Sequence, residues 1–491
     1  MVHDLTGQLC EVECSTMDHS ADTVSRTRSR GRRVAIAALV LAVAIAMLAS
    51  AFAMARFVPA GASVIPVEVG VARADRLLVV SPHPDDESIA CAGLIQHALA
   101  AGAQVRVLWM TAGDHNLVGP PLFWRKVAVT PAQFRAVGCR RMQEAKTAAA
   151  ILGLSPADLI FLGYPDGGLS DIFLKGWTST PYRSGLTHAT KVPYAESAAY
   201  GQPQTAANLL ADVEQVMISF RPTIVAYPNF IDAHPDHQAT QLFVRAALDD
   251  LGIAPRCLEY LVHVKGWPRP LRYAPFVDAY APPAAVMLGL HQEAVHLSPA
   301  EVTIKARAIR AHASELLPLA TLIAFARRTE VFLAPATLDQ YTDPIQVARF
   351  LFPVNWTNDE ERPVVQQFSV MQSDAGLQLS LDLGRSLSRL EEVDLFVFPL
   401  LTTGNFSSAP KLHIVYRGGA VTADVSDLEH PETPPLSVSA IHTGTSLTLT
   451  LDPGIAGEAV QGLFVRIEKG PGDIDLTRSR TVWISVKPVT S

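Results

Sequence analysis

The sequence predicts an α/β domain with a mostly parallel sheet and helices on both faces, followed by an all-β sandwich-like domain. In residues 74–335, short apolar runs alternate with longer helical stretches, which is typical of βαβ units. The apolar runs are continuous, which indicates strands buried on both faces. In residues 336–491, short runs of alternating polarity are separated by Gly, Pro, Asn and Ser, which is typical of an antiparallel sandwich. One transmembrane helix is predicted ahead of both domains.

The N-terminal segment contains an apolar run long enough to cross a membrane. Residues 34–57 are predicted to be a transmembrane signal-anchor, because about 22 helical residues span the ~30 Å hydrocarbon core. Five arginines between residues 26 and 33 precede it, so the positive-inside rule keeps the polar, disordered tail 1–33 in the cytoplasm and exports the rest. The alternative is a cleaved signal peptide, which would release a secreted protein. Residues 58–73 are predicted to be a linker.

The composition argues against two classes of site. The chain has 491 residues and a formal net charge of −7, without the basic stripe that nucleic-acid binding requires. Its five cysteines include no CxxC pair, so neither a disulfide framework nor a thiolate metal site is indicated. No nucleic-acid partner is therefore expected.

The predicted elements follow from the positions of apolar runs and breakers. In the α/β domain, strands are expected at 76–82, 104–113, 158–168 (running into a Gly turn), 223–229 and 256–264. Helices are expected at 88–102, 131–154, 204–222, 235–252 and 298–317. Ser298, Pro299 and Glu301 form a capping box at the start of the last helix. In the β domain, strands are expected at 377–384, 392–400, 411–418, 446–452, 462–470 and 481–488.

Two blocks of His and Asp follow predicted strands. "SPHPDDE" occupies 81–87 and "HPDHQA" occupies 234–239, each between a strand and a helix. In open α/β sheets, ligands bind at the carboxyl ends of the strands. His83, Asp86 and His237 together would provide the three protein ligands of a catalytic zinc site, with the fourth position left to water. An isolated HPD is usually a turn in which Asp caps a helix, but two in matching contexts favour a metal site.

The side chains around these ligands fit amide hydrolysis. Asp85 directly precedes a ligand and is expected to take a proton from water as the general base. His234 is expected to face the developing oxyanion, helped by Asp236, and to donate a proton to the leaving amine. His115 and His263 lie near strand ends and are expected in the wall or core rather than among the ligands.

These blocks resemble the PIG-L/LmbE-like family of metal-dependent N-acetylglucosamine deacetylases. The resemblance extends over roughly 75–335 and includes "TAGD" (111–114), "LGYPDGG" (162–168) and "YLVHVKGWP" (260–268). It implies a Rossmann-like fold, zinc as the usual metal with Fe²⁺ as an alternative, and the ligands and base named above. The N-terminal anchor and the β-rich domain depart from simple cytoplasmic members of the family.

The resemblance also implies two substrate-binding residues. Arg141 and Asp166 match positions that contact sugar hydroxyls or organise the pocket in the family. From the sequence alone, Arg141 equally fits an ion pair with Glu144 on its own helix, and Asp166 equally fits a turn. Glu87 is expected to be a first-turn helix charge or to lie behind the metal ligands.

The expected function is that of a zinc-dependent deacetylase acting outside the cytoplasm on a glycan or glycolipid that contains N-acetylglucosamine. Two alternatives stay open. One is an amidohydrolase that acts on another amide conjugate. The other is a surface glycan-binding protein with a vestigial catalytic domain, in which exposed aromatics such as Tyr416 or Trp483 stack on sugars. The more usual place for an aromatic side chain on a strand is the core.

Overall fold

The computed structural model describes most of the α/β domain and the strands of the β domain. The described residues are 67–116, 129–287, 290–316, 321–334, 348–351, 365–373, 376–383, 387, 392–401, 405–426, 437–451, 460–469 and 480–485. The predicted tail and the predicted membrane-spanning segment, residues 1–57, lie outside this part of the chain. Among the described residues, no helix is both long and apolar enough to span a membrane.

An eight-stranded sheet forms the centre of the α/β domain. Its strands are β1 (Val67–Glu68), β2 (Arg76–Ser81), β3 (Gln104–Thr111), β4 (Leu159–Tyr164), β5 (Ile224–Pro228), β6 (Arg256–Tyr260), β7 (Gln292–His296) and β8 (Thr329–Leu333). They lie in the order β1-β7-β8-β6-β5-β2-β3-β4. β8 runs antiparallel to β6 and β7, and the other neighbouring pairs are parallel. The predicted mostly parallel sheet is therefore confirmed, with one antiparallel strand.

Helices cover both faces of this sheet. Within the described residues they are α1 (Asp86–Ala90), α2 (Ala92–Ala101), α3 (Pro131–Leu152), α4 (Leu169–Lys175), α5 (Ala206–Phe220), α6 (Pro235–Asp250), α7 (Pro283–Met287), α8 (Pro299–Ala311) and α9 (Ala313–Leu316). α2 and α3 pack with α8, whereas α4 and α5 pack with α6. Connections from β2 and from β5 leave in opposite directions along the sheet, so right-handed crossovers place these two helix groups on opposite faces.

The strand order reverses between β2 and β5. These two strands are adjacent and parallel, with Leu77 opposite Ile224 and Val79 opposite Ala226. A crevice opens at the carboxyl ends of two parallel strands whose connections leave in opposite directions. One HPD block follows β2 and the other follows β5, so the fold brings both blocks to this crevice.

The helix predicted directly after the first HPD block is interrupted at Cys91. The N–H groups of Gly93 and Leu94 donate to the buried carboxylate of Glu330, at 2.6 and 2.9 Å. Glu330 also forms a 2.7 Å ion pair with buried Lys305. Since a carboxylate stabilises the unpaired N–H groups at a helix start, the chain begins a second helix, α2, instead of extending α1.

The strand predicted at 256–264 ends at Tyr260. The N–H groups of Val262 and His263 donate to the carboxylate of Asp232, at 2.8 and 3.0 Å. A side chain from the loop after β5 therefore ends β6 and fixes the backbone that follows it.

Three strands of the sheet have no counterpart in the sequence prediction. β1 pairs in parallel with β7, so the end of the predicted 58–73 linker belongs to the sheet edge. β7 and β8 each contain a buried glutamate, Glu293 and Glu330, which interrupts the apolar run expected of an interior strand. The two carboxylates are balanced by Arg256 and Lys305.

In the part of the C-terminal region that the structure describes, there are two antiparallel sheets of five strands each. The strands are β9 (Ala348–Leu351), β10 (Val365–Ser373), β11 (Gly376–Leu383), β12 (Glu392–Leu401), β13 (Lys411–Arg417), β14 (Ala420–Ser426), β15 (Val438–Thr443), β16 (Ser446–Leu451), β17 (Val460–Lys469) and β18 (Arg480–Ser485). Their orders are β15-β16-β11-β10-β9 and β14-β13-β12-β17-β18. The predicted all-β region is confirmed. Tyr416 is only 4% exposed, so the suggestion that it stacks on a sugar is wrong.

Candidate active site

Asp86 brings the two HPD blocks together. It is the first residue of α1, and its Oδ2 atom lies 3.3 Å from His83 Nδ1 and 3.2 Å from His237 Nε2. The backbone N–H of His83 also donates to Oδ2, at 3.0 Å. All three side chains are buried. The residues predicted to be metal ligands therefore form one cluster at the crevice between β2 and β5.

The surroundings of His237 fit a metal ligand. Both of its ring nitrogens are buried and, among the residues that the structure describes, neither has a hydrogen-bond partner, although a carboxylate lies beside each. Nδ1 is 3.2 Å from Asp232 Oδ2, and Nε2 faces Asp86. A histidine ligand commonly presents one nitrogen to the metal while a carboxylate orients the other. Since an unsatisfied buried nitrogen is costly, a cation between His237 and Asp86 would resolve this arrangement.

Asp232 is a site residue that sequence reasoning missed. It is fully buried, and its carboxylate accepts the N–H groups of His234, Val262 and His263 at 3.0, 2.8 and 3.0 Å. Burial alone would raise the pKa of Asp232, but adjacent His237 holds that pKa well below its ordinary value. Asp232 therefore orients His237 as a permanently charged group. Its position two residues before the second HPD block is the signal that would have identified it.

His83 faces two further carboxylates through its other ring nitrogen. Nε2 lies 3.2 Å from Asp166 Oδ1 and 3.3 Å from Asp236 Oδ2. Burial alone would lower the pKa of His83, but Asp166, followed by Asp236 and Asp86, raises that pKa well above its ordinary value. The carboxylates therefore favour a positive charge at the position of the His83 ring.

The carboxylate of Asp236 does not make the contact that the sequence predicts. It accepts the N–H groups of Gly167 and Leu169, at 2.6 and 3.1 Å, and so holds the turn after β4 against the start of α6. Its contact with His234 is through the backbone: the Asp236 N–H donates to His234 Nδ1 at 3.2 Å. The carboxylate support expected for His234 is therefore replaced by a contact with His83.

His234 occupies the N-cap of α6. Because Nδ1 accepts the N–H of Asp236, the proton of the neutral ring resides on Nε2. Burial lowers the pKa of His234 well below its ordinary value, and the neighbouring rings of His83, His263 and His237 lower it further. Burial and these rings therefore favour the neutral ring, whose Nε2–H can donate a hydrogen bond, and transfer of a proton from His234 to the leaving amine stays a prediction.

His263 lies among the site histidines, whereas its sequence context indicates only a wall or core position. Its ring centroid is 4.6 Å from that of His237. Among the described residues, three groups place one ligand atom from each member within 4.8 Å of the others: His83, His234 and His237; Asp86, His237 and His263; and His83, Asp166 and Asp236. Imidazole nitrogens with carboxylate oxygens are a donor set that suits Zn²⁺ and Fe²⁺. The residues present therefore fit a metal ion.

Asp85 lies beside the cluster and against Arg141. Its Oδ2 atom is 3.4 Å from Arg141 Nη2. Burial raises the pKa of Asp85 to about 8, although the guanidinium of Arg141 opposes the shift. A carboxylate with such a pKa accepts and releases a proton near neutral pH, which is the property of a general base.

Glu87 fixes the backbone of Asp85 from behind. It is fully buried, and its carboxylate accepts the N–H of Asp85 at 3.1 Å and that of the Trp109 ring at 2.9 Å. Its other oxygen lies 3.1 Å from His312 Nε2. Glu87 thus has both of the positions expected for it, because it lies in the first turn of α1 and also behind the metal-ligand candidates. His312 belongs to this network although no sequence motif surrounds it.

Arg141 is enclosed by partners, with 5% of its surface exposed. Its guanidinium donates to the carbonyl oxygens of Gly113 and Pro84, each at 3.1 Å. Glu315 Oε1 lies 3.2 Å from Nη1, and Asp166 Oδ2 lies 3.7 Å from it. These contacts organise the pocket wall beneath the base. Glu315, which comes from distant α9, is another residue that sequence reasoning missed.

The alternatives left open for Arg141 and Asp166 do not describe the structure. Glu144 forms its helix ion pair with Arg140, at 2.9 Å. Asp166 is more than a turn residue, because its side chain is 8% exposed and accepts the backbone N–H of His115 at 3.1 Å. His115 itself is exposed and so lies outside the core. Direct contact of Arg141 or Asp166 with a sugar stays a prediction.

Comparison with known proteins identifies a matching family model and similar proteins. Residues 78–248 match the model of the family described as PIG-L: GlcNAc-PI de-N-acetylase. A protein of Streptomyces avermitilis named 1D-myo-inositol 2-acetamido-2-deoxy-alpha-D-glucopyranoside deacetylase is 36% identical over 175 residues, covering 35% of this chain and 52% of that protein. The same-named protein of Mycobacterium sp. strain KMS is 34% identical over 181 residues, covering 35% and 50%. The chain thus spans about half the length of these curated relatives.

Among solved structures, the N,N'-diacetylchitobiose deacetylase of Pyrococcus horikoshii is 18% identical, with a TM-score of 0.33. That likeness covers 55% of this chain and 87% of the other. The matched family segment contains both HPD blocks, Asp85 and Arg141. The resemblance expected from these motifs is confirmed: residues 78–248 match the PIG-L family model.

Proposed function

We propose that this chain is a metal-dependent deacetylase that removes the acetyl group from an N-acetylglucosamine unit of a glycan or glycolipid. The observation that carries the proposal is the position of Asp86 Oδ2 between the rings of His83 and His237, with buried Asp85 alongside. The substrate class is supported by the match to the PIG-L family and by the acetamido-glucoside deacetylase names of the relatives.

Zn²⁺ is the proposed metal, with Fe²⁺ as the alternative, and His83, Asp86 and His237 would hold it. A metal ion bound there would supply a Lewis acid that activates a water molecule and polarises the acetamide carbonyl. Asp232 keeps the ring of His237 in place, and the carboxylates around His83 favour positive charge at the site. The chain therefore provides both the ligands and the electrostatic attraction for a divalent cation.

Asp85 is proposed to carry the proton that the reaction moves. It takes a proton from the attacking water as the C–O bond forms, and it returns that proton to the nitrogen as the C–N bond breaks. Acetate and the free amine are the products. A pKa near 8 lets one carboxyl do both steps near neutral pH, whereas an ordinary aspartate would return the proton poorly.

His234 is proposed to stabilise the oxyanion without itself losing a proton. Its Nε2–H is left to donate because Nδ1 is occupied by the backbone of Asp236. A donor fixed at a helix N-cap needs little reorganisation as charge develops on the carbonyl oxygen. Asp166 and Arg141 are proposed to organise the sugar-binding wall, with the nearly enclosed Arg141 acting mainly through Asp85 and Asp166.

The first test is acetate release by the purified full-length chain in detergent, from a panel of N-acetylglucosamine conjugates. The chain is assayed as isolated, after chelation, and after addition of Zn²⁺ or Fe²⁺. Asp85→Asn should lower kcat by about 10²–10⁴ while metal content is unchanged, because it removes the base but no ligand. Asp171→Asn, which changes an exposed aspartate of α4, is the matched control and should leave kcat unaltered.

The outcomes separate the proposal from its alternatives. Release that is abolished by chelation and restored by metal supports the deacetylase. Metal bound in stoichiometric amount without release from any sugar conjugate would point to another amide bond. Sugar binding with neither metal nor release would favour a vestigial domain. Undiminished turnover by Asp85→Asn would refute the assigned base.

We also propose that residues 34–57 anchor the chain with its catalytic domain on the extracytoplasmic side, or that their cleavage yields a secreted protein. The support is the order of the arginine-rich segment and the apolar run in the sequence. Protease added to intact cells should digest the catalytic domain, and digestion only after lysis would place that domain in the cytoplasm.

A further inference from the structure

Exposed apolar side chains concentrate in one short segment of the α/β domain. Nine large hydrophobic side chains are exposed among the described residues, and five of them fall within 273–286. These are Tyr273 (41%), Phe276 (76%), Val277 (42%), Tyr280 (52%) and Val286 (43%). We call them the 273–286 surface. A concentration of exposed apolar side chains in one segment indicates an interaction site, whereas single ones need no explanation.

The 273–286 surface lies at the same edge of the sheet as the active site. The N–H of Ala279 donates to Thr329 Oγ1 at 2.6 Å, and the carbonyl of Ala279 accepts from the same hydroxyl at 2.8 Å. Thr329 is the first residue of β8, which is antiparallel to β6. The start of β8 therefore lies near the carboxyl end of β6, where His263 joins the candidate metal cluster.

The backbone beneath this surface is held by side-chain contacts from neighbouring segments. The ring of Trp267 packs on Phe325 with centroids 5.4 Å apart, and its Nε1–H donates to the carbonyl of Tyr280 at 2.7 Å. The fully buried guanidinium of Arg327 donates to the carbonyl of Pro270. The exposed side chains are therefore presented by an anchored segment.

Cations flank the apolar side chains. Lys265, Arg272 and Arg310 are exposed around the segment, and the guanidinium of Arg310 lies 5.0 Å above the ring of Tyr273. Asp278, the acidic residue of the segment, pairs with Arg328 at 2.7 Å, which offsets its charge. The surface therefore combines apolar and aromatic tips with positive charge at its margin.

We propose that the 273–286 surface docks onto an anionic lipid bilayer. Phe276 and Tyr280 enter the interfacial region, where aromatic rings are favoured, while Lys265, Arg272 and Arg310 face the lipid phosphates. The positive charge at the margin favours this partner, because an anionic bilayer attracts exposed cations, whereas a neutral sugar or an apolar protein face does not. Docking turns the active-site edge toward the bilayer, where the sugar of a glycolipid is presented. The inference goes beyond the proposed deacetylase activity and does not depend on it.

The test uses the full-length chain reconstituted into vesicles of phosphatidylglycerol with brominated acyl chains, which quench nearby tryptophan. Phe276→Trp places a reporter on the surface. Ile218→Trp is the matched control, because Ile218 is 54% exposed near the end of α5, which leads to the amino end of β5 at the opposite edge. The emission of the six native tryptophans is subtracted with the unsubstituted chain.

We expect most of the emission added by Phe276→Trp to be lost in brominated vesicles and that added by Ile218→Trp to be kept. Quenching at 276 should weaken in phosphatidylcholine vesicles, because these lipids carry no net negative charge. It should also weaken on joint replacement of Lys265, Arg272 and Arg310 by Gln, because the protein then lacks the cations that the anionic lipids attract. Tyr280→Trp gives a second reporter on the same surface. Equal quenching at 218 and 276, no quenching at 276 and 280, or quenching indifferent to lipid charge would each overturn the proposal.

Discussion

The buried charge of Arg141 holds three carboxylates of the active site together. Its guanidinium lies within 3.7 Å of three carboxylates, those of Asp85, Asp166 and Glu315. Each carboxylate comes from a different loop or helix, so the guanidinium connects parts of the chain that are far apart in sequence. Burial makes the arrangement sensitive, because removal of one charged partner leaves the others without compensation.

We expect Arg141→Gln to lower the free energy of unfolding by about 3–5 kcal/mol, because three buried carboxylates lose their cation. Urea unfolding of the metal-free chain measures this. Arg140→Gln is the matched control on the next position of α3, where the side chain is 47% exposed and pairs with Glu144. It should change stability by less than about 0.5 kcal/mol. Similar losses in the two variants would contradict the role assigned to Arg141.

The protonation of the candidate ligands predicts how metal affinity depends on pH. Burial disfavours charge on His237, yet Asp232 and Asp86 raise its pKa to about 9, and the pKa of His83 is also raised. A metal ion must displace these protons, so affinity should rise as pH increases toward about 9 and fall as pH decreases. With two protons displaced, the change approaches about 100-fold per pH unit.

Competition with a chromogenic chelator across this pH range measures the dependence. His263→Gln is a useful control, because burial lowers the pKa of His263 to about 4 and little proton is displaced from it. In that variant, metal affinity should depend on pH as steeply as in the wild type, even if the affinity itself changes. Affinity that does not vary with pH would show that His83 and His237 are not both ligands.

Site residues could be predicted where chemistry and local pattern coincide. His83, Asp86 and His237 were identified because each lies in a polar block directly after an apolar run. His312 and Glu315 do not lie in such a block, because they come to the site from the end of α8 and from α9 through tertiary packing. The protonation states of the site residues could not be predicted from the sequence either, because they depend on burial and on neighbouring charges that only the fold determines.

At the scale of elements, interior strands were predictable and their ends were not. A continuous apolar run indicates a buried strand, but a side chain from another element decides where the strand ends. Asp232 ends β6, and Glu330 separates α1 from α2. β7 and β8 were not predicted, because each contains a charged residue whose partner lies elsewhere in the sequence.

Glu330 therefore provides a test at the element scale. Glu330→Gln should destabilise the fold by about 3–5 kcal/mol, because buried Lys305 loses its counter-charge. It should also weaken metal binding, since α1 and α2 meet at the capped turn and α1 begins with Asp86. Denaturant unfolding and metal content measure the two effects.

Glu301→Gln is the matched control. Glu301 accepts the N–H of Ser298 in the capping box of α8, at 2.7 Å, and a glutamine can make the same bond. Its cost should stay below about 1 kcal/mol, with metal content unchanged. If Glu330→Gln loses stability but binds metal normally, Glu330 has only a structural role and does not position the metal ligands.

At the scale of the whole molecule, the β domain is packed into the α/β core. Phe398 and Phe406 lie 5.7 and 5.8 Å from the ring of Phe173 in α4, measured between centroids. Phe406 also packs on Trp177 at 5.5 Å, and its N–H donates to the carboxylate of Asp250. The sequence indicated two domains from their different patterns. It could not indicate this docking, because aromatic side chains on strands look alike whether they pack inside or between domains.

This packing predicts that the two domains unfold together. Phe406→Ala should lower stability by about 3–5 kcal/mol, because it empties a buried aromatic site shared by both domains. Ile441→Ala, at a position of β15 that is 67% exposed, is the matched control and should cost less than about 0.5 kcal/mol. Calorimetry of the wild-type chain should give one transition for both domains, shifted in Phe406→Ala.

Phe406→Ala should affect the active site as well as the stability of the chain. α4 follows the turn whose N–H groups bind Asp236, and Asp236 contacts His83, so loss of the aromatic contact to α4 should weaken metal binding as well. Two separate transitions in the wild type, or a Phe406→Ala variant whose α/β domain melts and binds metal normally, would show that the β domain contributes nothing to the catalytic domain's stability.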